Sequence, residues 1–336
     1  MITDTAAPSP QLFFDTVQAY QRTAALRAAI ELDLFTTIGD GAETVPAIAA
    51  QCKASERGTR ILCDYLTILG FLTKTDGRYQ LTLDSSVFLS TRSPAYFGSV
   101  IGFLGSPDVL RYFDDLAGTV RRGTVPKDES TVADENPVWQ EFARAMVPMM
   151  MPASQAIADI LDVAGAGPMR VLDIAAGHGM FGIAIAQRNP QAEIVAVDWA
   201  GVLKVATENA AKMGVAARHT ALAGDAFKVD YGTGYNLALM TNFLHHFDAA
   251  TCTALLTKVA ASLKPGGRVA VLEFVPNEDR ISPPESATFA MQMLGNTPGG
   301  DAYTLTEHTA MLKAAGFGTV SGHPLQGAET LVVGKL

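Results

Sequence analysis

The chain changes rhythm about halfway along. From Gln11 to about Leu161 apolar residues recur mainly at helix spacing. Leu26, Ala29, Ile30 and Leu34 form one stripe, and Ile61, Leu62, Tyr65, Leu66 and Leu69 form another. Between them Val45-Pro46-Ala47-Ile48-Ala49 starts a short helix, and Ser55 stands where an N-cap belongs. Two β-like runs, Gly70–Lys74 and Arg78–Leu81, flank Asp76-Gly77, which predicts a hairpin. Helices followed by a hairpin make a winged-helix arrangement over 1–100. Arg121 to Pro137 is polar and reads as a loop or boundary. Trp139 to Leu161 reads as helix, with Phe142, Met146, Met149 and Met150 near one face and with Pro148 and Pro152 set to kink or divide it. A helical connector over 101–163 is expected.

From Met169 onward short strand-like runs take over: Arg170–Ile174, Glu193–Val197, a weaker His219–Leu222, Asn236–Met240 and Arg268–Leu272. Helical patterns over Gly179–Asn189, Val202–Met213 and Ala249–Leu263 separate most of them. Strands alternating with helices predict βαβ units and a parallel sheet over 164–336. Leu263-Lys264-Pro265-Gly266-Gly267-Arg268-Val269 reads as a helix stop, a tight turn and a strand start. Gly318–Ser321 and Glu329–Lys335 are placed to close the sheet with a hairpin.

With 336 residues, 48% apolar and 18% charged, the chain can build an ample core, and extensive disorder is excluded. Apolar stretches are interrupted well before the roughly 18 residues of a membrane span. The start, MITDTAAPSPQ, has an acid where a signal peptide needs a basic region. A formal net charge of −9 argues against nucleic acid as a partner. In the winged-helix stretch Lys53, Arg57, Arg60, Lys74 and Arg78 are balanced by Glu56, Asp64, Asp76 and Asp84, too even for a phosphate footprint. Dimerisation is the better use for that module. Three cysteines with no CxxC pair suit a reduced, cytoplasmic setting. No His/Asp/Glu cluster at ligand spacing points to a metal.

Gly177-His178-Gly179-Met180-Phe181-Gly182 follows the first strand of the second half and opens a helix, a literal GxGxxG. Asp198 ends the next strand about 20 residues on, where a carboxylate can accept from a ribose diol. Both features suit any adenosine cofactor. Asp173, in the approach to the loop, narrows the choice. A carboxylate repels a pyrophosphate but welcomes a sulfonium and an α-amino group. Gly224-Asp225-Ala226-Phe227 then offers an acceptor for an adenine amino group and an aromatic face for the ring.

In this ordered series the sequence resembles the class I S-adenosylmethionine-dependent methyltransferases. More narrowly, it resembles the small-molecule O-methyltransferases related to plant caffeic acid and acetylserotonin O-methyltransferases and their bacterial relatives in antibiotic pathways. Leu26-Arg27-Ala28-Ala29-Ile30-Glu31-Leu32-Asp33-Leu34-Phe35 resembles the family's dimerisation block. Asn296-Thr297-Pro298-Gly299-Gly300 and Ala314-Ala315-Gly316-Phe317 resemble its C-terminal blocks. The resemblance implies an α/β fold with a Rossmann-like seven-stranded methyltransferase sheet, an N-terminal winged-helix dimerisation domain, a homodimer, and S-adenosyl-L-methionine as methyl donor. It implies a cofactor set of Asp173, Gly177, Gly179, Asp198, Trp199, Gly224, Asp225, Ala226, Phe227 and Thr241. Thr241 lies near where plant members carry a lysine. Trp199 would lean on the adenosine.

Methyl transfer from a sulfonium needs an aligned nucleophile and, for a phenol, a group that takes its proton. Asn242-Phe243-Leu244-His245-His246-Phe247-Asp248 lies just past the fourth strand, at the end where open α/β sheets bind ligands. The family block usually reads Leu-His-Asp-Trp, and the match carries the general-base role to His245. Glu273, at the end of the fifth strand, matches the carboxylate that orients that imidazole and stabilises the imidazolium. The plain alternatives are a packed histidine and a solvated strand-end acid. His246 and Phe247 depart from the family pattern, so His246 is read as packing or touching substrate. A second family carboxylate falls on Ala302, with Asp301 beside it as a substitute. Phe142, Met146, Met149, Met291 and Leu294 serve either as core or as walls for a flat aromatic acceptor. N- or C-methylation and a non-methylating use of the same cofactor stay open, and a nicotinamide dehydrogenase or a DNA-binding regulator explains less of the series.

Overall fold

The structure of the chain, a computed structural model, describes residues 7–133, 135–136 and 138–336. Asp4, the acid noted at the start, and Pro137, the end of the polar stretch, lie outside the described residues. Two compact units divide between Leu110 and Arg111.

The first unit carries helices Gln11–Val17, Ala19–Glu31, Leu34–Gly39, Val45–Gln51 and Glu56–Ile68, then a hairpin of β1 (Leu72–Thr75) and β2 (Arg78–Leu81). Each boundary has a local cause. Pro46 sits in the first turn of its helix, where its missing N–H costs nothing. Ser55 Oγ accepts from the amide of Gly58 at 3.1 Å and caps the next helix. Asp76 (φ 50°) and Gly77 (φ 75°) supply the consecutive left-handed residues that a two-residue hairpin turn requires, pairing Thr75 with Arg78. Leu34, Phe35, Ile48, Leu66 and Tyr79 close the core, each fully buried large side chain contributing about 1.5–3 kcal/mol. The first helix buries none of its residues. Leu12, Phe13, Phe14 and Val17 on it, and Tyr20 just beyond, are exposed.

The second unit is built on a seven-stranded sheet of order β5-β4-β3-β6-β7-β9-β8. Its strands are β3 (Met169–Ile174), β4 (Ala192–Asp198), β5 (His219–Ala223), β6 (Tyr235–Thr241), β7 (Leu263–Phe274), β8 (Thr319–Pro324) and β9 (Glu329–Lys335). The first five are parallel; β9 runs antiparallel to β7 and β8 antiparallel to β9. Helices cover both faces, so the central strands are mainly apolar. Val171, Leu172, Leu237, Ala238, Leu239 and Val269–Leu272 are wholly buried.

Strand order reverses beside β3, which pairs with β4 on one side and β6 on the other. In open sheets the crevice beyond the strand ends at such a reversal is where ligands bind.

Residues 138–160 form two helices, Val138–Ala145 and Val147–Ile160, divided as expected just before Pro148, which opens the second; Pro152 sits inside it. One expectation is corrected. The turn expected at Lys264–Gly267 is instead an irregularity within a continuous β7, whose pairing with β6 shifts register between Tyr235 and Leu237. There Gly266 takes φ 73° and an added Cβ on Gly267 would come within 2.8 Å of the Lys264 carbonyl.

Candidate active site

The carboxyl ends of β3 to β7 bring the sequence motifs together. Between them lies a cavity of about 480 Å³. Gly177, Asp198, Trp199, Gly224, Asp225, Ala226, Phe227 and Thr241 line it on the side expected to hold the cofactor; Phe142 and His246 line it on the acceptor side. Trp139, Met150, His178, Asn242 and Phe243 join them, and of these Trp139, Asn242 and Phe243 went unread in the sequence as site residues. Asn242 left one sign of itself, a left-handed backbone (φ 53°) directly after β6. Trp139 left none, because only packing brings its ring 5.1 Å from that of His246.

The glycine loop works differently at each glycine. Gly177 (φ 56°) lines the cavity, and a Cβ there would meet no protein atom closer than 3.9 Å, so the missing side chain leaves room for a ligand. Gly179 (φ 75°) caps helix Met180–Arg188 and lets it approach helix Ala200–Lys212; an added Cβ would lie 2.9 Å from Ala206 Cβ. At Gly182 a Cβ would strike Ile194 and Asp173. Only the first glycine faces the cavity, and the other two are there for packing.

The loop donors are already engaged. Gly177 N–H donates to Asp198 Oδ2 at 2.8 Å, Met180 N–H to His178 Nδ1 at 3.1 Å, and Gly182 N–H to Asp173 Oδ2 at 3.1 Å. A helix N-terminus whose amides are taken by carboxylates and an imidazole is a poor cradle for a diphosphate. It suits a nucleoside carrying positive charge.

Asp173, expected to face the cofactor, lies fully buried under the loop and does not line the cavity. Its side chain points to the positive end of the helix, as a carboxylate on that strand face must. Burial pushes its carboxyl up to about 8, against the Gly182 hydrogen bond, with Asp198 adding to the rise. Asp198 is likewise raised by burial, to about 6, against the amides of Gly177 and Trp199. Burial takes His178 down to about 4.

On the acceptor side Glu273 Oε2 meets His245 Nδ1 at 2.5 Å, and Oε1 accepts from the amides of Phe243, Leu244 and His245 at 3.1, 2.8 and 3.3 Å. Burial alone would raise this carboxyl, but the imidazoles of His245 and His308 and the hydrogen bonds from His245 hold it below the usual range. Both members of the pair are buried, and neither is on the cavity wall; on the acceptor side the imidazole that is belongs to His246.

Asp301 does not stand in for a second carboxylate. Its Oδ2 pairs with Arg280 at 3.3 Å and its Oδ1 accepts from Ala302 N–H, both away from the imidazole. The other flank of His245 is aromatic, with the Phe289 ring at 4.8 Å stacked in turn on Phe274. The backbone after Thr297 packs on the histidine block: Asp301 N–H donates to the His245 carbonyl at 3.0 Å, and a Cβ on Gly300 would sit 2.1 Å from that oxygen.

Of the expected acceptor wall, Met146 is buried in the core, Met149 and Met291 are about half exposed, Leu294 is half-buried, and none lines the cavity. Helix spacing identified the face of Met146 and Met149 but not what lay opposite. Among the described residues no group of three or more His, Cys, Asp and Glu is disposed to hold a metal, and no helix is long and apolar enough to cross a membrane.

The comparisons agree with this geometry. The family pattern of the O-methyltransferase domain matches residues 131–318, and that of the O-methyltransferase dimerisation domain matches 14–91. A solved structure from Nostoc punctiforme, described as a candidate O-methyltransferase, shares 49% identity and a TM-score of 0.94, covering 98% of this chain and all of its own. The 3-hydroxy-5-methyl-1-naphthoate 3-O-methyltransferase of Streptomyces sahachiroi is 27% identical over 91% of this chain and 89% of its own. Human N-acetylserotonin methyltransferase, solved with S-adenosyl-L-methionine, has the same fold at 24% identity, with a TM-score of 0.84 over 99% of both chains. With family patterns over both units, the chain belongs to the O-methyltransferase family and is an S-adenosyl-L-methionine-dependent O-methyltransferase.

Proposed function

We propose that the protein methylates a hydroxyl on an aromatic small molecule, as a cytoplasmic homodimer, with His245 as general base. The observation that carries this reading is the 2.5 Å contact between His245 Nδ1 and Glu273 Oε2. A carboxylate beside Nδ1 accepts a hydrogen bond from the N–H there, which leaves Nε2 as an acceptor. Bound in the cavity, S-adenosyl-L-methionine supplies a methyl group activated on a positive sulfur, which keeps the C–S electron pair as the thioether product.

The residues of the chain do the rest. Asp198 offers carboxylate oxygens for a ribose, and Gly177 leaves room beside it. Phe227 packs with Phe243 and Phe247, rings 6.4 and 5.0 Å away, into a wall suited to an adenine face. Asp173 supports the loop from below. Trp139, Phe142, Met150 and Phe243 give the acceptor a flat apolar site that excludes water. His245, its ring 4.3 Å from that of His246 on the wall, takes the hydroxyl proton on Nε2, and Glu273 stabilises the resulting imidazolium. The exposed Leu12, Phe13, Phe14, Val17 and Tyr20 support pairing through the first unit.

Screening phenols, naphthols and hydroxyquinones with the donor, and reading product by mass spectrometry, tests the reaction. Active wild type and a His245→Ala variant slowed about 10²–10⁴-fold, with an intact thermal shift from S-adenosylhomocysteine, support it. An unchanged rate returns His245 to a packing role.

A further inference from the structure

His246 is the acceptor-side imidazole on the cavity wall, and the reaction as described gives it no task. Its ring is enclosed by aromatic neighbours: Trp139 at 5.1 Å, Phe247 at 6.2 Å and Phe243 at 6.5 Å, with the His245 ring at 4.3 Å. Trp139 spends its own N–H on the Thr131 carbonyl at 2.9 Å. His246 Nδ1 is buried and has no hydrogen-bond partner among the described residues. An orphaned buried N–H is costlier than an orphaned lone pair, so the proton of the neutral ring belongs on Nε2. Burial keeps the ring neutral. His246 is therefore a neutral donor. His245, whose Nδ1 proton is held by Glu273, is an acceptor at its own Nε2. Two adjacent residues present opposite hydrogen-bonding characters side by side.

We propose that His246 is a specificity residue that donates from Nε2 to a second oxygen of the acceptor, on the carbon next to the one whose hydroxyl His245 deprotonates. The substrate class is then an aromatic hydroxyl with an ortho oxygen free to accept: a catechol, its mono-ether or an ortho-hydroxy carbonyl. An acceptor without that oxygen leaves the Nε2–H dry and unpaired, which lowers its kcat/KM. This rests on the aromatic hydroxyl reading above.

The test compares 2-methoxyphenol with 2-ethylphenol, and the same pair on a 1-naphthol frame; within each pair the shapes match and only the accepting oxygen differs. Wild type should favour the methoxy compound about 10–100-fold in kcat/KM. His246→Leu should bring the ratio close to one, and His246→Gln, which keeps an N–H, should retain part of the preference. Because a ratio is read, a general loss of activity cancels. A wild-type ratio near one, or a preference that survives in His246→Leu, overturns the proposal. Long-range ¹H–¹⁵N spectra of histidine-labelled protein provide a second reading that needs no substrate. They should show His246 protonated at Nε2 and His245 at Nδ1, and a His246 proton on Nδ1 overturns the proposal as well. Methylation of both compounds without discrimination leaves the aromatic hydroxyl reading standing. No product from any aryl hydroxyl sinks that reading and overturns this proposal with it.

Discussion

Glu273 grips His245 twice, its Oε2 on the imidazole Nδ1 and its Oε1 on the main-chain amide of the same residue. One carboxylate thus fixes both the ring and the turn that carries it. Glu273→Gln removes the charge that stabilises the imidazolium, so kcat should fall about 10²–10⁴-fold while the thermal shift with S-adenosylhomocysteine persists. Glu273→Ala also strands buried amides and should cost about 3–5 kcal/mol of stability, read by urea unfolding. Because the folded carboxyl titrates below its usual range, its contribution is full at neutral pH and disappears as pH falls through the folded value.

Asp173 titrates in the opposite sense. Its folded value, raised to about 8, means that the fold favours the protonated form, whose advantage is full below pH ~4 and lost as pH rises through about 8. Asp173→Asn cannot ionise. Its unfolding free energy, read by urea unfolding, should therefore gain on wild type between pH 5 and 8, by at most ~1.4 kcal/mol per pH unit. A gap that stays constant across that range removes Asp173 as the titrating group.

Two glycines of one loop should fail in different ways. Gly177→Ala meets open space and should weaken donor binding with modest loss of stability. Gly179→Ala drives a methyl into Ala206 and should lower the melting temperature, at about 1–3 kcal/mol from overpacking plus the left-handed strain both share. Calorimetry with S-adenosylhomocysteine beside thermal melts separates the two.

Phe13→Glu with Val17→Lys places charges on a helix that buries nothing within its own unit. Light scattering should show the variant shifting to monomer at micromolar concentration. Dimers unaffected by both charges would move the interface elsewhere.

Much of the fold was open to reading because its signals are local. Asp76-Gly77 specifies a hairpin by its own backbone preferences, and Ser55 caps its helix three residues away. The alternation of short apolar runs with helical stripes gave the parallel sheet for the same reason. Facing is a different matter. The position of Asp173 on β3 could be read, but whether its side chain meets a ligand or a helix end depends on what packs above it. Three glycines in a pattern read alike, yet two are explained by Ala206 and Ile194, far away in sequence. Met149 and Met291 had the right chemistry for a wall and no means of showing that they stand outside it. Trp139 and Asn242 reach the cavity only through packing between distant segments.

The contact of Gly300 with the His245 carbonyl couples two things that a changing enzyme would want to vary separately. A side chain added at Gly300 presses on His245, the proposed base, so that point of the rim cannot be reshaped without disturbing the proposed chemistry. Adaptation to new acceptors is thereby channelled to the opposite wall, the paired helices 138–160, which touch the cavity through Trp139, Phe142 and Met150 and leave the base where it is.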